Sequence, residues 1–303
     1  MAVIERAYKK YEGRLAPDWS RFLIIPRHAF RDVFRSKIFT GIFILSFVFP
    51  LIWAIFIYLH HNANALAIMS LKVGEVLPID AWFFEFFVWF QGTTGFFLAM
   101  LIAPSQVSRD LTNNALPLYL CRPFTRAEYV VGKMSIVIIL LSAITWVPGL
   151  MLFVLQCSLE GWSWFSQNLW IASAIFIGSL VWILLLALMT QAISAWVKWR
   201  VASRAALLGA FFIPSIFATM VNELFRTRWG NIFSLQALIA NVWAGLFGRF
   251  QRTTPFIDRY GVEHWDNAFS EPPLWATWLV LFLICAACLW LLSRKVKAYE
   301  VVK

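Results

Sequence analysis

The chain has 303 residues, of which 61% are hydrophobic and 14% are charged, and its mean hydropathy is +0.71. A water-soluble domain of this length has about a quarter of its residues charged, so the composition excludes an ordinary soluble protein. The net charge of +10 does not indicate nucleic-acid binding, because the basic residues flank apolar runs and form no single patch. Lipid is therefore the predicted solvent for most of the chain.

Six apolar runs are long enough to cross a bilayer. A spanning helix needs about 20 apolar residues, and these runs lack the alternating pattern of barrel strands. The sequence therefore predicts an all-α integral membrane protein with six transmembrane helices. The predicted spans are 38–59, 81–103, 134–157, 169–195, 205–221 and 274–292.

The lysine and arginine residues predict the orientation. Of these 26 residues, 20 lie in the N-terminal segment, the connections between spans two and three and between spans four and five, and the C-terminal tail. Positive charge favours the cytoplasmic side, so both termini are predicted to be cytoplasmic. The predicted regions are a cytoplasmic N-terminus (1–37), a six-span domain (38–292) with a cytoplasmic connection (105–133) and an outer segment (222–273), and a cytoplasmic tail (293–303).

Two further segments have helical patterns but do not fit a span. One lies before the first span, where an apolar stripe faces a charged one, which is typical of an amphipathic helix on the membrane surface. The second, 229–250, has an apolar stripe but is too polar for a lipid-facing span, so we expect a re-entrant or interfacial outer helix. The apolar stripe of the first consists of Phe22, Ile25, Ala29, Phe30, Val33 and Phe34.

The connection 105–133 mixes polar and apolar residues densely. Leu111, Leu118 and Tyr119 recur at helical spacing, and Thr125-Arg126 marks a new helix start after Pro123. An apolar helix face outside the membrane needs a partner surface. The alternative is a solvated loop that only joins two spans.

At these residues the chain resembles the permease subunits of ABC-2 type ATP-binding cassette exporters. The family pattern is an acidic residue, a small-residue turn, an apolar stretch, a Pro-apolar-Ser/Thr-Arg step and a closing Gly-Lys. Asp110, Asn114, 116–120, 123–126 and 132–133 stand at those places, with Asn114 where glycine is usual. The segment 27–39 also resembles the family's interfacial helix, although Ala29 replaces the frequent glutamate there.

The resemblance implies a coupling helix at 111–121 that docks on a separate ATP-binding cassette ATPase, present in two copies. It also implies a second permease chain, as a homodimer or heterodimer, in the plasma (inner) membrane of a prokaryote. This chain would bind no cofactor itself, since ATP and Mg would lie on the partner. The implied coupling residues are Asp110, Leu111, Asn114, Leu116, Leu118, Tyr119, Arg122, Pro123 and Arg126.

The chain has no ATPase site of its own by the phosphate-loop route. The nearest match ends at Gly132-Lys133, but Ala127 replaces the first glycine and Met134 replaces the hydroxyl residue that binds Mg²⁺. The chain is therefore predicted not to be an enzyme, and no catalytic or metal residues are predicted. An exporter of lipid-like or amphipathic substrates remains the favoured function.

Polar residues inside the spans are candidates for a translocation path, because a polar group in hydrocarbon needs a partner. Glu85 lies near the start of the second span, and Gln91, Thr93 and Thr94 are more central. Helix packing is the alternative role for the central group, and headgroup contact is the alternative for Glu85.

Two other functions stay open. One is a membrane channel or scramblase without a partner, and the other is an intramembrane enzyme. The sequence contains no H-E-x-x-H or G-x-S-x-G motif. Cys285 and Cys288 form a C-x-x-C, but alanines separate them within a span, which favours helix packing.

Overall fold

The computed structural model describes residues 24–62, 78–102, 107–108, 110, 113, 125–197, 199–248, 256–257, 263–264 and 272–295. Apart from one pair of two-residue strands, the elements in these ranges are helices. They are α1 (Ile24–Phe34), α2 (Lys37–Leu45), α3 (Val48–His61), α4 (Ala81–Ile102), α5 (Arg126–Ile144), α6 (Trp146–Glu160), α7 (Trp162–Trp196), α8 (Arg200–Phe225), a 3₁₀ helix (Trp229–Phe233), α9 (Leu235–Leu246), β1 (Phe256–Ile257), β2 (Glu263–His264) and α10 (Leu274–Lys295).

The six predicted spans are confirmed as six helical stretches that are long and apolar enough to cross a membrane. The first span joins α2 and α3, the third joins α5 and α6, and the others are α4, α7, α8 and α10. The fourth span, α7, has 35 residues and is therefore about 50 Å long, more than the hydrocarbon thickness of about 30 Å. The chain is a helical multi-pass membrane protein.

Proline explains the breaks in the first and third spans. Proline has no N–H and its ring collides with the carbonyl four residues earlier. Pro50 therefore leaves the Ser46 carbonyl without its helical donor, and α2 ends at Leu45. Pro148 acts in the same way on Ile144, where α5 ends.

The third span begins earlier than its hydropathy predicts. Thr125 caps α5, because its hydroxyl accepts the Glu128 N–H at 3.2 Å while the Glu128 carboxylate accepts the Thr125 N–H. This capping box confirms the helix start predicted at Thr125-Arg126. Residues 126–133, predicted as part of the connection, are therefore the first two turns of the span.

The fourth span lies at the centre of the bundle. It packs against α4, α5, α6, α8, α9 and α10. Its buried side chains include Ile175, Ile183 and Leu186, and they form one apolar core with residues of the second and third spans. The first, fifth and sixth spans are mostly exposed along their length, as expected for helices at the edge of a bundle in lipid.

The elements outside the spans differ from the predictions mainly at their ends. The helix α1 packs against α5, with Arg27 and Arg31 exposed and Ala29 and Phe30 packed against the core. The fifth span extends to Phe225, so the predicted outer segment 222–273 begins inside a helix. The predicted helix at 229–250 is a 3₁₀ turn followed by α9, because the Ser234 side chain caps a new helix by accepting the Ala237 N–H.

The first and third spans are also joined at one end by a polar contact. His61 Nε2 lies 3.1 Å from Glu160 Oε1, and His61 Nδ1 lies 2.9 Å from the Ile57 carbonyl oxygen. The last turns of α3 and α6 therefore meet on the side of the bundle opposite to Asp110 and Lys133.

Candidate coupling site and membrane cleft

The predicted coupling segment is described at few positions. Asp110 and Arg126 are described, together with Asn113, which is an exposed turn residue. Arg126 is exposed as the first residue of α5. The other predicted coupling residues lie outside the described residues: Leu111, Asn114, Leu116, Leu118, Tyr119, Arg122 and Pro123.

Asp110 anchors the start of this segment in a buried ion pair. Lys133 Nζ lies 2.9 Å from Asp110 Oδ2, and the Tyr129 hydroxyl donates to the same oxygen at 2.7 Å. The side chains of Asp110 and Lys133 are 14% and 10% exposed, and Tyr129 is fully buried. Because Tyr129 and Lys133 are one helical turn apart on α5, a single face of the third span holds the carboxylate.

A serine of the fourth span holds the residues just before Asp110. Ser194 Oγ accepts the backbone N–H groups of Val107 and Ser108 at 3.0 and 3.1 Å. Ser194 is fully buried, and Val107 and Ser108 are 1% and 3% exposed. One hydroxyl oxygen therefore takes two backbone donors at the point where the chain leaves the second span.

The third and fourth spans are tied to each other at the same level. Gln191, one turn before Ser194 on α7, donates its amide N–H to the Val130 carbonyl on α5 at 3.3 Å. We use the term coupling cluster for Asp110, Tyr129, Lys133, Gln191 and Ser194. This cluster ties residues 107, 108 and 110 to both spans, because buried charged and backbone hydrogen bonds are costly to break.

The sequence predicted one of the five residues of the coupling cluster. Lys133 carried a signal only when the helix start predicted at Thr125-Arg126 is combined with hydropathy, since that start places Lys133 about 10 Å into a span, where an ionisable group needs a partner. Ser194 carried none, because serines are common in membrane helices and its two donors lie 86 and 87 residues away.

The four predicted path residues differ in their exposure and contacts, although all lie on α4. Gln91 is fully buried and donates to the Ser46 carbonyl at 2.9 Å, so it closes the break that Pro50 makes in the first span. Glu85 and Thr94 are half-buried on α4. Thr93 is exposed and lies at the rim of a cleft.

This cleft has a volume of about 220 Å³ and lies between α4, α7, α8 and α9. Its inner wall is buried and almost wholly aromatic, and its rim is exposed. The inner wall consists of Phe96, Trp182, Phe211, Ile239 and Trp243, and the rim consists of Trp89, Thr93, Phe97, Phe212 and Gln236.

Two tryptophans hold the inner wall in place. Trp182 Nε1 donates to the Gly92 carbonyl at 2.9 Å, and Trp243 Nε1 donates to the Gly178 carbonyl at 3.0 Å. The two indoles meet edge to face with ring centroids 6.0 Å apart. Glycine is required at position 92, since a Cβ there would lie 2.7 Å from the Trp243 ring. These contacts of the two tryptophans therefore hold α4, α7 and α9 together around the cleft.

No protein-family model matches this chain, and no curated protein matches its sequence.

Proposed function

We propose that the chain is the membrane-spanning permease subunit of an ATP-binding cassette exporter of the ABC-2 type. It moves a lipid-like or amphipathic substrate outward across the plasma (inner) membrane of a prokaryote. A separate ATPase, in two copies, docks on the cytoplasmic connection 105–133 and supplies ATP and Mg²⁺, and a second permease chain completes the path.

The attachment of residues 107, 108 and 110 to the third and fourth spans is the observation that supports this proposal most directly. A connection that only joined two spans would need no buried ion pair, and burying two charges costs several kcal/mol for each ion before pairing. The pair between Asp110 and Lys133 fixes the connection to the third span, and Ser194 fixes it to the fourth. A rigid attachment is what converts a push on the connection into movement of spans.

In this mechanism the ATPase supplies the work and the coupling cluster transmits it. ATP binds more tightly to the closed ATPase pair than to the open one, and this difference drives the conformational change. Closure displaces the two connections, the third and fourth spans follow, and access to the substrate path switches sides.

The test of the docking step is copurification of the full chain in mild detergent, followed by mass spectrometry of what elutes with it. The expected partner is an ATP-binding cassette ATPase. Leu118→Asp should abolish its binding, because the aspartate places a charge on the apolar docking face. Leu159→Asp is the matched control: it makes the same change at an exposed leucine near the opposite end of the third span, and it should leave binding intact.

The test of the transmission step is the transport obtained per ATP hydrolysed. Lys133→Met should leave the ATPase bound but lower this ratio, because the connection loses its attachment to the third span. Retained binding in Leu118→Asp, or transport by the chain without an ATPase, would contradict the proposal.

A further inference from the structure

We infer that the aromatic cleft binds an uncharged, ring-bearing molecule that is dissolved in the bilayer. The inference uses the size, chemistry and depth of the cleft. It rests on the proposed permease function only in identifying this occupant with the transported cargo.

The volume limits the occupant to about one ring system. An apolar cavity of about 150 Å³ accommodates benzene, and drug-sized ligands need about 300 Å³ or more. At about 220 Å³, the cleft accommodates one aromatic ring with a short substituent. Aromatic walls also favour a ring, because aromatic pairs gain from edge-to-face and offset stacking beyond the burial of area.

The wall has no ionisable side chain, so the occupant is uncharged. All ten lining residues are aromatic, aliphatic, threonine or glutamine. An anion or a strongly hydrated cation would lose its hydration here without a counter-charge, which costs far more than aromatic contacts return. The cleft also lies deep, since Thr93 is about 18 Å along α4 from its start at Ala81.

The polar groups of the cleft specify one hydrogen-bonding group on the occupant. Both indole N–H groups of the inner wall are already donated to glycine carbonyls. The Thr93 hydroxyl donates to the Trp89 carbonyl at 2.9 Å and keeps its lone pairs for a donor. The Gln236 amide makes no hydrogen bond within the described part of the chain, so it can both donate and accept. A hydroxyl on the ring can donate to the Thr93 oxygen or exchange a hydrogen bond with the Gln236 amide, so it matches the chemistry of either residue at the rim.

The rim is open, which gives the occupant a route from lipid. Trp89, Phe97 and Phe212 are 50%, 45% and 47% exposed, while Trp182, Phe211 and Trp243 behind them are nearly inaccessible. A molecule that moves sideways through the hydrocarbon therefore reaches the inner wall without crossing the bundle.

The probe for this site is a benzyl alcohol that carries a trifluoromethyl-diazirine on its ring. The full chain in phosphatidylcholine vesicles, without ATPase or ATP, is irradiated with the probe, and the adducts are mapped by peptide mass spectrometry. We expect labelling on Trp89, Phe97 and Phe212 that saturates with probe concentration and is competed by excess benzyl alcohol. Labelling of lipid-facing residues away from the cleft, such as Ile213 and Phe282, should not saturate.

Two variants test the hydrogen bonds at the rim. Gln236→Leu and Thr93→Val should each weaken probe binding between about twofold and tenfold, the range for loss of one hydrogen bond. Gln167→Leu and Thr219→Val are the matched controls, since both side chains are exposed and lie away from the cleft, and the Thr219 hydroxyl donates within its helix as that of Thr93 does. Both controls should bind the probe as the original chain does.

Three results would overturn the inference. The first is cleft labelling that does not saturate. The second is equal competition by a benzyl-trimethylammonium analogue, which would make the cleft a cation site. The third is an unlabelled cleft together with disulfide-linked dimers of Phe212→Cys, which would show that a second copy covers it. Saturable labelling without a copurifying ATPase would keep the binding site and remove its role as a cargo site.

Discussion

The ion pair between Asp110 and Lys133 provides the sharpest test of the coupling cluster. Replacing Lys133 with methionine removes the ammonium group and keeps a long unbranched side chain, so the packing of the third span is little changed. The Asp110 carboxylate then remains in a site where it is 14% exposed, with the Tyr129 hydroxyl as its remaining polar contact within the cluster.

The magnitude follows from the geometry. At 2.9 Å and an effective dielectric constant of about 20, the gross attraction between the two charges is about 6 kcal/mol. Desolvation offsets much of this, and removing one partner of a buried pair costs about 3–5 kcal/mol in measured cases. Because Asp110 keeps one charge-assisted hydrogen bond, we expect Lys133→Met to cost about 3 kcal/mol, at the lower end of that range.

The assay is a double-mutant cycle on the free energy of unfolding, measured by tryptophan fluorescence in mixed micelles with increasing sodium dodecyl sulfate. Asp110→Asn removes the carboxylate charge and leaves Lys133 buried without its partner, so it should also destabilise. The double variant Asp110→Asn, Lys133→Met buries no charge, and its free energy of unfolding should lie within about 1 kcal/mol of the original value. The two single effects should therefore not add.

The matched control is the contact between His61 and Glu160, whose side chains are 16% and 40% exposed. Glu160→Gln should cost less than about 1 kcal/mol, because Glu160 is exposed and solvent screens its contact with His61. A cost this small for Lys133→Met, or single effects that add in the double variant, would refute the argument that a buried pair fixes residue 110.

Three further variants test other contacts of the bundle by the same measurement. Ser194→Ala should cost about 1–3 kcal/mol, because it removes the acceptor that two buried backbone N–H groups share. Gln91→Leu should cost a similar amount by leaving a buried carbonyl unpaired, and Pro50→Ala, which restores a helical donor, should reduce that cost; an unchanged cost would contradict this role. Gly92→Ala should cost about 1–3 kcal/mol through overpacking, whereas Gly41→Ala, with no atom within 4 Å of the new Cβ, should be neutral or stabilising.

The spans were predictable because each depends on its own sequence alone. A run of about 20 apolar residues has to be helical in lipid whatever surrounds it, since no other conformation pairs its backbone groups. The start of α5 was also local, because Thr125 and Glu128 are three residues apart and cap the helix together. The breaks in the first and third spans were available as well, from Pro50 and Pro148, although hydropathy alone treats each span as continuous.

The coupling cluster and the cleft were not predictable in the same way, because they join residues that are distant along the chain. Ser194 meets a backbone 87 residues away, and Trp182 meets a carbonyl 90 residues away. A single sequence contains no signal that pairs such positions. Gln91 shows the consequence: its position in mid-span predicted a path or a packing contact, and only the neighbouring helix shows that it closes the proline break in the first span.

The coupling cluster and the cleft share one rigid element, and this makes their roles separable by experiment. Ser194 and Trp182 both lie on α7, 12 residues apart and therefore about 18 Å apart along its axis. A tilt of α7 that starts at Ser194 would move the inner wall of the cleft against the second span, where Trp182 is bonded to Gly92. Trp182→Phe should therefore weaken probe labelling of the cleft and leave ATPase binding unchanged, while Ser194→Ala should leave labelling unchanged and lower transport per ATP. Equal changes in probe labelling and in the ATPase-dependent property, which is ATPase binding or transport per ATP, would contradict this separation if the variant still folds. The coupling cluster and the cleft would then act as one site.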